Sequence, residues 1–289
     1  MVLSSILSSG KNSRFYKNIT DKGLTTSVYI WDSLFRDPGL FTVYANLSPD
    51  VDHKTVEKAI VDEYEKIKKD GVTEEEVKKA QAQLVASMKF SQDGSYAIAS
   101  GLNEAIASGD WTLYTTYGER IKTVTKEDIK RVVNKYFLED LSTVGYFIPL
   151  GSGEQGEKSA TSAKQLEKMK IKNLTTEEEV LSSKIIDTEP VKGIRLLTLK
   201  RGTGVVTMRG SMLGGDIYST KNKRTADMVA AMLDQGTINM SKFEISEKLE
   251  SAGARLGFFN GQARVGFSGK FLSEDTNMVI SLLADQLQN

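Results

Sequence analysis

The chain contains one histidine, His53, and no cysteine in 289 residues. A catalytic zinc ion needs three protein ligands, usually imidazoles with a carboxylate, and a serine or cysteine nucleophile needs a base beside it. His53 cannot supply either alone. It follows SPDVD just before a helical pattern, so it reads as a residue of a first helical turn. The acidic run Glu177 to Glu179 reads as a solvated helix start favoured by the helix dipole rather than as a metal site. GSGEQG, from Gly151 to Gly156, has the glycines of a phosphate loop, but no Gly-Lys-Ser/Thr and no strand-to-helix hinge comes after it. Trp31 and Trp111, with Tyr114 and Tyr117, read as core or interface aromatics.

The elements around these residues announce themselves by capping. Thr73 with Glu76, Thr125 with Asp128 and Ser241 with Glu244 have the spacing at which a hydroxyl takes the third amide and a carboxylate reaches back. Val72/Val77, Val124/Ile129 and Met240/Ile245 are apolar pairs able to close a staple around each. Thr175 with Glu178 has the same spacing, but its staple position holds Glu179. In HKTVEKAIVDEYEKIKKDG, Val56, Ile60, Tyr64 and Ile67 fall on one stripe, predicting a surface helix that ends at Gly71.

Strands are expected at LTTSVYIWDS, GLFTVYANLS, STVGYFIP, IRLLTLKRGTGVVTMRGSML and ARLGFFNGQARVGFSGKFL, which alternate and are rich in Thr, Val, Tyr and Phe. Helices separate short groups of strands instead of following each one. That favours an α+β fold, with a largely antiparallel sheet covered by helices, over a doubly wound parallel sheet. The stretch 151–174 is polar and poor in large apolar groups, as an interdomain linker would be. The expected organisation is therefore a domain at 1–150, a linker at 151–174 and a second domain beginning at 175–289.

Composition excludes several function classes. Lys plus Arg equals Asp plus Glu at 38 each, so no net field draws the chain to nucleic acid or to an anionic membrane. No apolar run approaches the ~20 residues of a transmembrane helix, and the N-terminus lacks the basic start and cleavage site of a signal peptide. The lack of cysteine removes disulfides and leaves compartment open between bacterial periplasm and cytoplasm. A helix-like pattern runs straight from Met1, and another ends uncapped at Asn289. Both suggest a piece of a larger protein.

Three ordered passages resemble the pitrilysin/insulinase family of zinc peptidases, which includes the mitochondrial processing peptidase. SSILSSGKNSRFYKNITDKGLTTSVYIW, with DPGLFTVYANLSPD and DGVTEEEVKKAQAQL, resembles that family's second domain. TVTKEDIKRVVNKYF is similar to that domain's close. GSMLGGDIYSTKNKRTADMVAAMLDQGTINMSKFEISEKLESAGARLGFFNG resembles the start of a first- or third-type domain. The resemblance implies two incomplete α/β sandwich domains.

In this family an H-x-x-E-H helix precedes a Gly-Thr pair; its histidines bind zinc and its glutamate activates water. Counting back from Gly236 and Thr237, the resemblance puts those groups at Asp227, Ala230 and Ala231. A second device, an Arg-and-Tyr pair supporting the oxyanion, would fall on Ile19 and Thr26. The implied reading is a second domain of the zinc half joined to a degenerate third domain. This chain would then bind no metal or cofactor, with zinc in the parent protein or a partner, a zinc-bearing domain in cis or in trans, and a peptide as substrate. The alternative is a non-catalytic structural or peptide-holding member of the same family.

Overall fold

The computed structural model describes residues 1–32, 35–92, 94–148, 185–218, 222 and 224–289. They divide into two compact units, Met1–Ser142 with Thr203–Asn289, and Thr143–Gly202.

The first unit opens with a short helix, α1 (Val2–Ser8), whose Leu3, Ile6 and Leu7 are buried. A π-type turn at Tyr16–Thr20 comes next, with Ile19 wholly inside. An antiparallel pair, β1 (Thr25–Asp32) and β2 (Phe41–Leu47), turns Val28, Ile30, Phe41 and Val43 toward the core. Helix α2 (His53–Asp70) buries Val56 and Ile67 and packs Ile60 and Tyr64 beside them, the stripe anticipated from spacing. His53 is its first residue, one after the Asp52 N-cap whose carboxylate accepts from the Thr55 amide at 3.2 Å.

Helices α3 (Glu74–Phe90) and α6 (Lys126–Tyr136) begin at the reciprocal caps Thr73/Glu76 and Thr125/Asp128. Between them lie α4 (Ser95–Ala107) and α5 (Leu113–Lys122), whose N-caps Gly94 and Thr112 make no side-chain cap bond. Leu7, Phe15, Ile19, Ile67 and Val133 form the most enclosed part of this core. Each such side chain contributes roughly 1.5–3 kcal/mol relative to exposure. Tyr64 makes a tilted ring contact with Phe15 and an edge contact with Phe137, and burial raises its phenol well above the ordinary value.

The described remainder of this unit is built on a three-stranded antiparallel sheet with three α-helices. Strand β5 (Val205–Leu213) and strand β6 (Arg255–Asn260) both pair with the central β7 (Arg264–Leu272). Helices α7 (Thr225–Met232) and α8 (Lys242–Ser251) precede β6, and α9 (Thr276–Gln288) follows β7. Helix α8 starts at the predicted Ser241/Glu244 box. Phe271 and Val279 are fully enclosed in a second, smaller cluster. Among its described residues the other unit has an antiparallel hairpin, β3 (Ile186–Val191) with β4 (Ile194–Thr198), exposed along its length and pinned by Arg195 on Asp187 at 2.7 Å.

Three strand expectations are corrected. The run 194–213 is not one strand but β4 and β5, in different units. The run 254–272 is likewise two strands, β6 and β7, paired antiparallel. STVGYFIP forms no strand at Thr143–Ile148, where Val144, Phe147 and Ile148 are exposed. Alternation supplies an apolar face, but a strand also needs a hydrogen-bonding edge opposite it, and among the described residues this segment has none. The expected linker at 151–174, GSGEQG, the Thr175/Glu178 cap and the run Glu177 to Glu179 lie outside the described residues.

Candidate functional site

Helix α7 occupies the position where the resemblance would put zinc ligands. Its Ala226 and Ala230 are buried, while Asp227 and Ala231, one turn apart on the same side, are exposed. Neither alanine offers a donor atom. The carboxylate of Asp227 accepts a hydrogen bond from Asn260 Nδ2 at 2.9 Å, and the same amide nitrogen donates to Asp216 Oδ1 at 2.7 Å. The one oxygen-bearing group at the three positions is thus already tied to the end of β6. Zinc requires several converging soft or charged donors, and no such set of His, Cys, Asp or Glu exists among the described residues. The residues do not fit a zinc ion.

The segment after α7 has a structural role. Gln286 Nε2 donates to the Leu233 carbonyl at 3.1 Å, capping the C-terminal end of the helix. Gly236, at φ +133°, bridges to Ser241, and Thr237 Oγ1 donates to Asp285 on α9 at 2.6 Å. Thr237 Oγ1 also accepts from the amides of Asn239 and Met240. Hydrogen bonds from Thr237, Asn239 and Asn289 hold the Asp285 carboxyl below the usual carboxylate range. The Gly-Thr pair is therefore a knot that ties α7, α8 and α9 together.

The second pair of positions is split by burial. Ile19 is enclosed in the main core, whereas Thr26 is exposed on β1 and donates to the Asn46 carbonyl at 3.2 Å. Neither carries a positive charge or a phenol. His53 sits at the start of α2, as its sequence context predicted. The tryptophans are not core residues: Trp31 and Trp111 are 52% and 59% exposed. Trp31 lies edge-on to Phe35, and Tyr29 of β1 stacks on Tyr44 of β2 at 5.0 Å. Tyr117 packs against the main core, and burial together with Asp32 pushes its phenol up to about 12.

Local patterns missed one charged centre. Arg14 makes a two-pronged bond to Glu76, at 2.7 and 2.9 Å, and a third to the Gly71 carbonyl. Burial works to raise the Glu76 carboxyl, but the bonds from Arg14 and the Thr73 amide outweigh it and hold it below its ordinary value. Nearby Glu63, 2% exposed, accepts from Asn18 at 3.0 Å and from Lys66 at 2.5 Å. A cavity of about 450 Å³ opens between these groups, lined by side chains including Lys17, Lys79 and Glu247. These contacts join residues 62 and 45 positions apart, beyond any window of spacing.

Comparison with known proteins agrees with the resemblance. Residues 1–84 match the family model described as the peptidase M16 inactive domain. An uncharacterised zinc protease of Streptomyces coelicolor is 31% identical over 133 residues, which is 45% of this chain and 29% of that one. The zinc protease PqqE of Helicobacter pylori is 26% identical over 148 residues, 51% of this chain and 33% of that one. The chain spans about a third of the length of the curated relatives it matches. Among solved structures, an inactive peptidase domain from Bordetella parapertussis is 24% identical with a TM-score of 0.47, covering 55% of this chain and 83% of that chain. Residues 1–84 are thus similar to the inactive domain of M16 peptidases, in line with the resemblance read from the sequence.

Proposed function

We propose that this chain is the non-zinc portion of an M16 metalloendopeptidase, helping to enclose a peptide that a zinc-bearing domain, in the same polypeptide or a bound partner, hydrolyses. The observation that carries this reading is helix α7. It lies between a strand and a Gly-Thr knot, yet presents Ala230, Ala231 and an already engaged Asp227 where the chemistry would be. In this reading residues 1–150 and 175–289 are a second and a degenerate third domain joined by 151–174. Ile19 and Thr26 mark the places of an oxyanion pair that this portion does not supply. The chain's part is then mechanical: to close off water from the peptide and to position the walls around it. No helix among the described residues is long and apolar enough to cross a membrane.

The test is a reconstitution. The chain alone should take up less than one equivalent of zinc on dialysis and leave a fluorogenic peptide library intact. Addition of the H-x-x-E-H protein encoded with it, or extension to include that motif, should produce chelator-sensitive cleavage that survives Asp227→Ala. Chelator-sensitive cleavage by the chain alone, lost on Asp227→Ala, would sink the proposal. If extension yields no cleavage at all, the non-catalytic peptide-holding alternative replaces it.

A further inference from the structure

Among the described residues, Glu63 of α2 is the only charged side chain buried as deeply as the core, at 2% exposure. It is not sealed in apolar surroundings, because it lines the cavity of about 450 Å³ beside Arg14. Asn18 and Lys66 both donate to its Oε1, at 3.0 and 2.5 Å, and Oε2 accepts no hydrogen bond among the described residues. Holding a carboxylate out of water with one oxygen unpartnered costs free energy. An apolar side chain of similar volume would avoid that cost, so stability alone does not account for the acid.

The other charges on the cavity wall cancel in pairs. Arg14 is held by Glu76 at 2.7 and 2.9 Å, and Lys79 of α3 pairs with Glu247 of α8. Two lining groups have no ion pair among the described residues. One is Lys17, whose ammonium lies 5.6 Å from the Phe243 centroid, and the other is Glu75 in the first turn of α3. The wall holds four cations and four carboxylates, and every residue lining it is polar or charged. An apolar ligand would gain nothing there, and an ion of either sign would leave the wall with an uncompensated charge. A small molecule carrying both signs meets neither objection, and the space lies within the ~300–1,000 Å³ of small-molecule sites.

We propose that this cavity binds a small zwitterion of the α-amino acid type, a free amino acid or a dipeptide. Its ammonium donates to Glu63 Oε2, with the Glu75 carboxylate adding to the attraction, and its carboxylate pairs with Lys17. Bonds of this kind, with both partners charged, are about twice as strong as neutral ones, and the ligand would satisfy the oxygen that the fold leaves open. The site stands apart from the peptidase reading, because it is measured as binding without cleavage.

The test is calorimetric titration of the full chain with L-alanine and with L-alanyl-L-alanine, one or both of which should bind saturably at one site. Acetylating the amine or amidating the carboxylate of the bound compound should each weaken it by about ten- to a hundredfold, the loss of one charged hydrogen bond. Glu63→Gln keeps the side-chain volume and should weaken the uncapped compound to the same degree. Lys17→Met should weaken it as well, and should matter less for the amidated form; Lys17 is exposed, so this variant decides if Glu63→Gln does not fold. No binding of either compound up to about 10 mM overturns the proposal. So does equal binding of capped and uncapped forms, or methylamine alone binding as tightly as the zwitterion.

Discussion

The turn that leaves helix α8 comes up against α3 at Gly253. A Cβ built there would stand 2.4 Å from the Ala86 Cβ and 2.9 Å from the Ala82 carbonyl oxygen, and the backbone is left-handed at φ +63°. Gly253→Ala therefore incurs two separable costs. Placing an L-residue at positive φ costs ~1–2 kcal/mol, offset by up to ~1 kcal/mol from the stiffer unfolded chain. The overlap with α3 adds ~1–3 kcal/mol, since neither neighbour is the tip of a flexible side chain. Gly23→Ala is the natural control: its φ is +76°, and nothing lies within 4 Å of its Cβ. Urea unfolding followed by circular dichroism should show Gly23→Ala costing about 1 kcal/mol and Gly253→Ala about 2–4 kcal/mol. Should α8 retreat instead of straining, amide exchange in Lys242–Ser251 will accelerate in Gly253→Ala alone. Equal costs for the two substitutions, with unchanged exchange in α8, would refute the close approach of the helices.

The remaining expectations concern single sites. Thr125→Ala removes the hydroxyl that accepts from the Asp128 amide at 3.1 Å, and should lower stability by ~0.5–2 kcal/mol by urea titration; Thr125→Ser should recover most of it. Glu76 has a depressed folded value, so its contribution is present above the ordinary glutamate pKa of 4.5 and fades as pH falls through the lower folded value. Thermal melts should therefore lose stability on the acid side of about pH 4.5, and Glu76→Gln should flatten part of that loss. Phe271→Ala empties a wholly buried site beneath the three-stranded sheet and should cost ~3–5 kcal/mol. With both indoles more than half exposed, acrylamide should quench Trp31 and Trp111 in the folded chain nearly as well as in urea.

Local chemistry made the helices readable. A hydroxyl and an acid three residues apart announce a helix start through bonds that involve no distant partner, and all three such boxes among the described residues form. The α2 stripe was equally legible, because its period alone decides which side chains share a face. The helices α4 and α5 carry no capping side chain at their N-caps, so nothing local marked their starts. STVGYFIP had the rhythm of a strand without an edge to join, which a sequence window cannot see. At the candidate site, the lack of donor atoms at Ala230 and Ala231 was visible as residue type. Asn260, 33 residues beyond Asp227, is the group that engages it, and no spacing rule links the two. The ion pair between α3 and α8 was hidden for the same reason: Lys79 and Glu247 are 168 residues apart.

The small face of α7 also limits what the helix can carry. Ala226 and Ala230 allow the helix to lie close over its neighbours, and both are buried. Installing an H-x-x-E-H pattern by Asp227→His, Ala230→Glu and Ala231→His would press a carboxylate into a space that now fits a methyl group. It would also break the bond from Asn260 to Asp227 and leave that amide with Asp216 alone. Three substitutions supply the donor atoms, but the packing around Ala230 must give way before a glutamate can sit there.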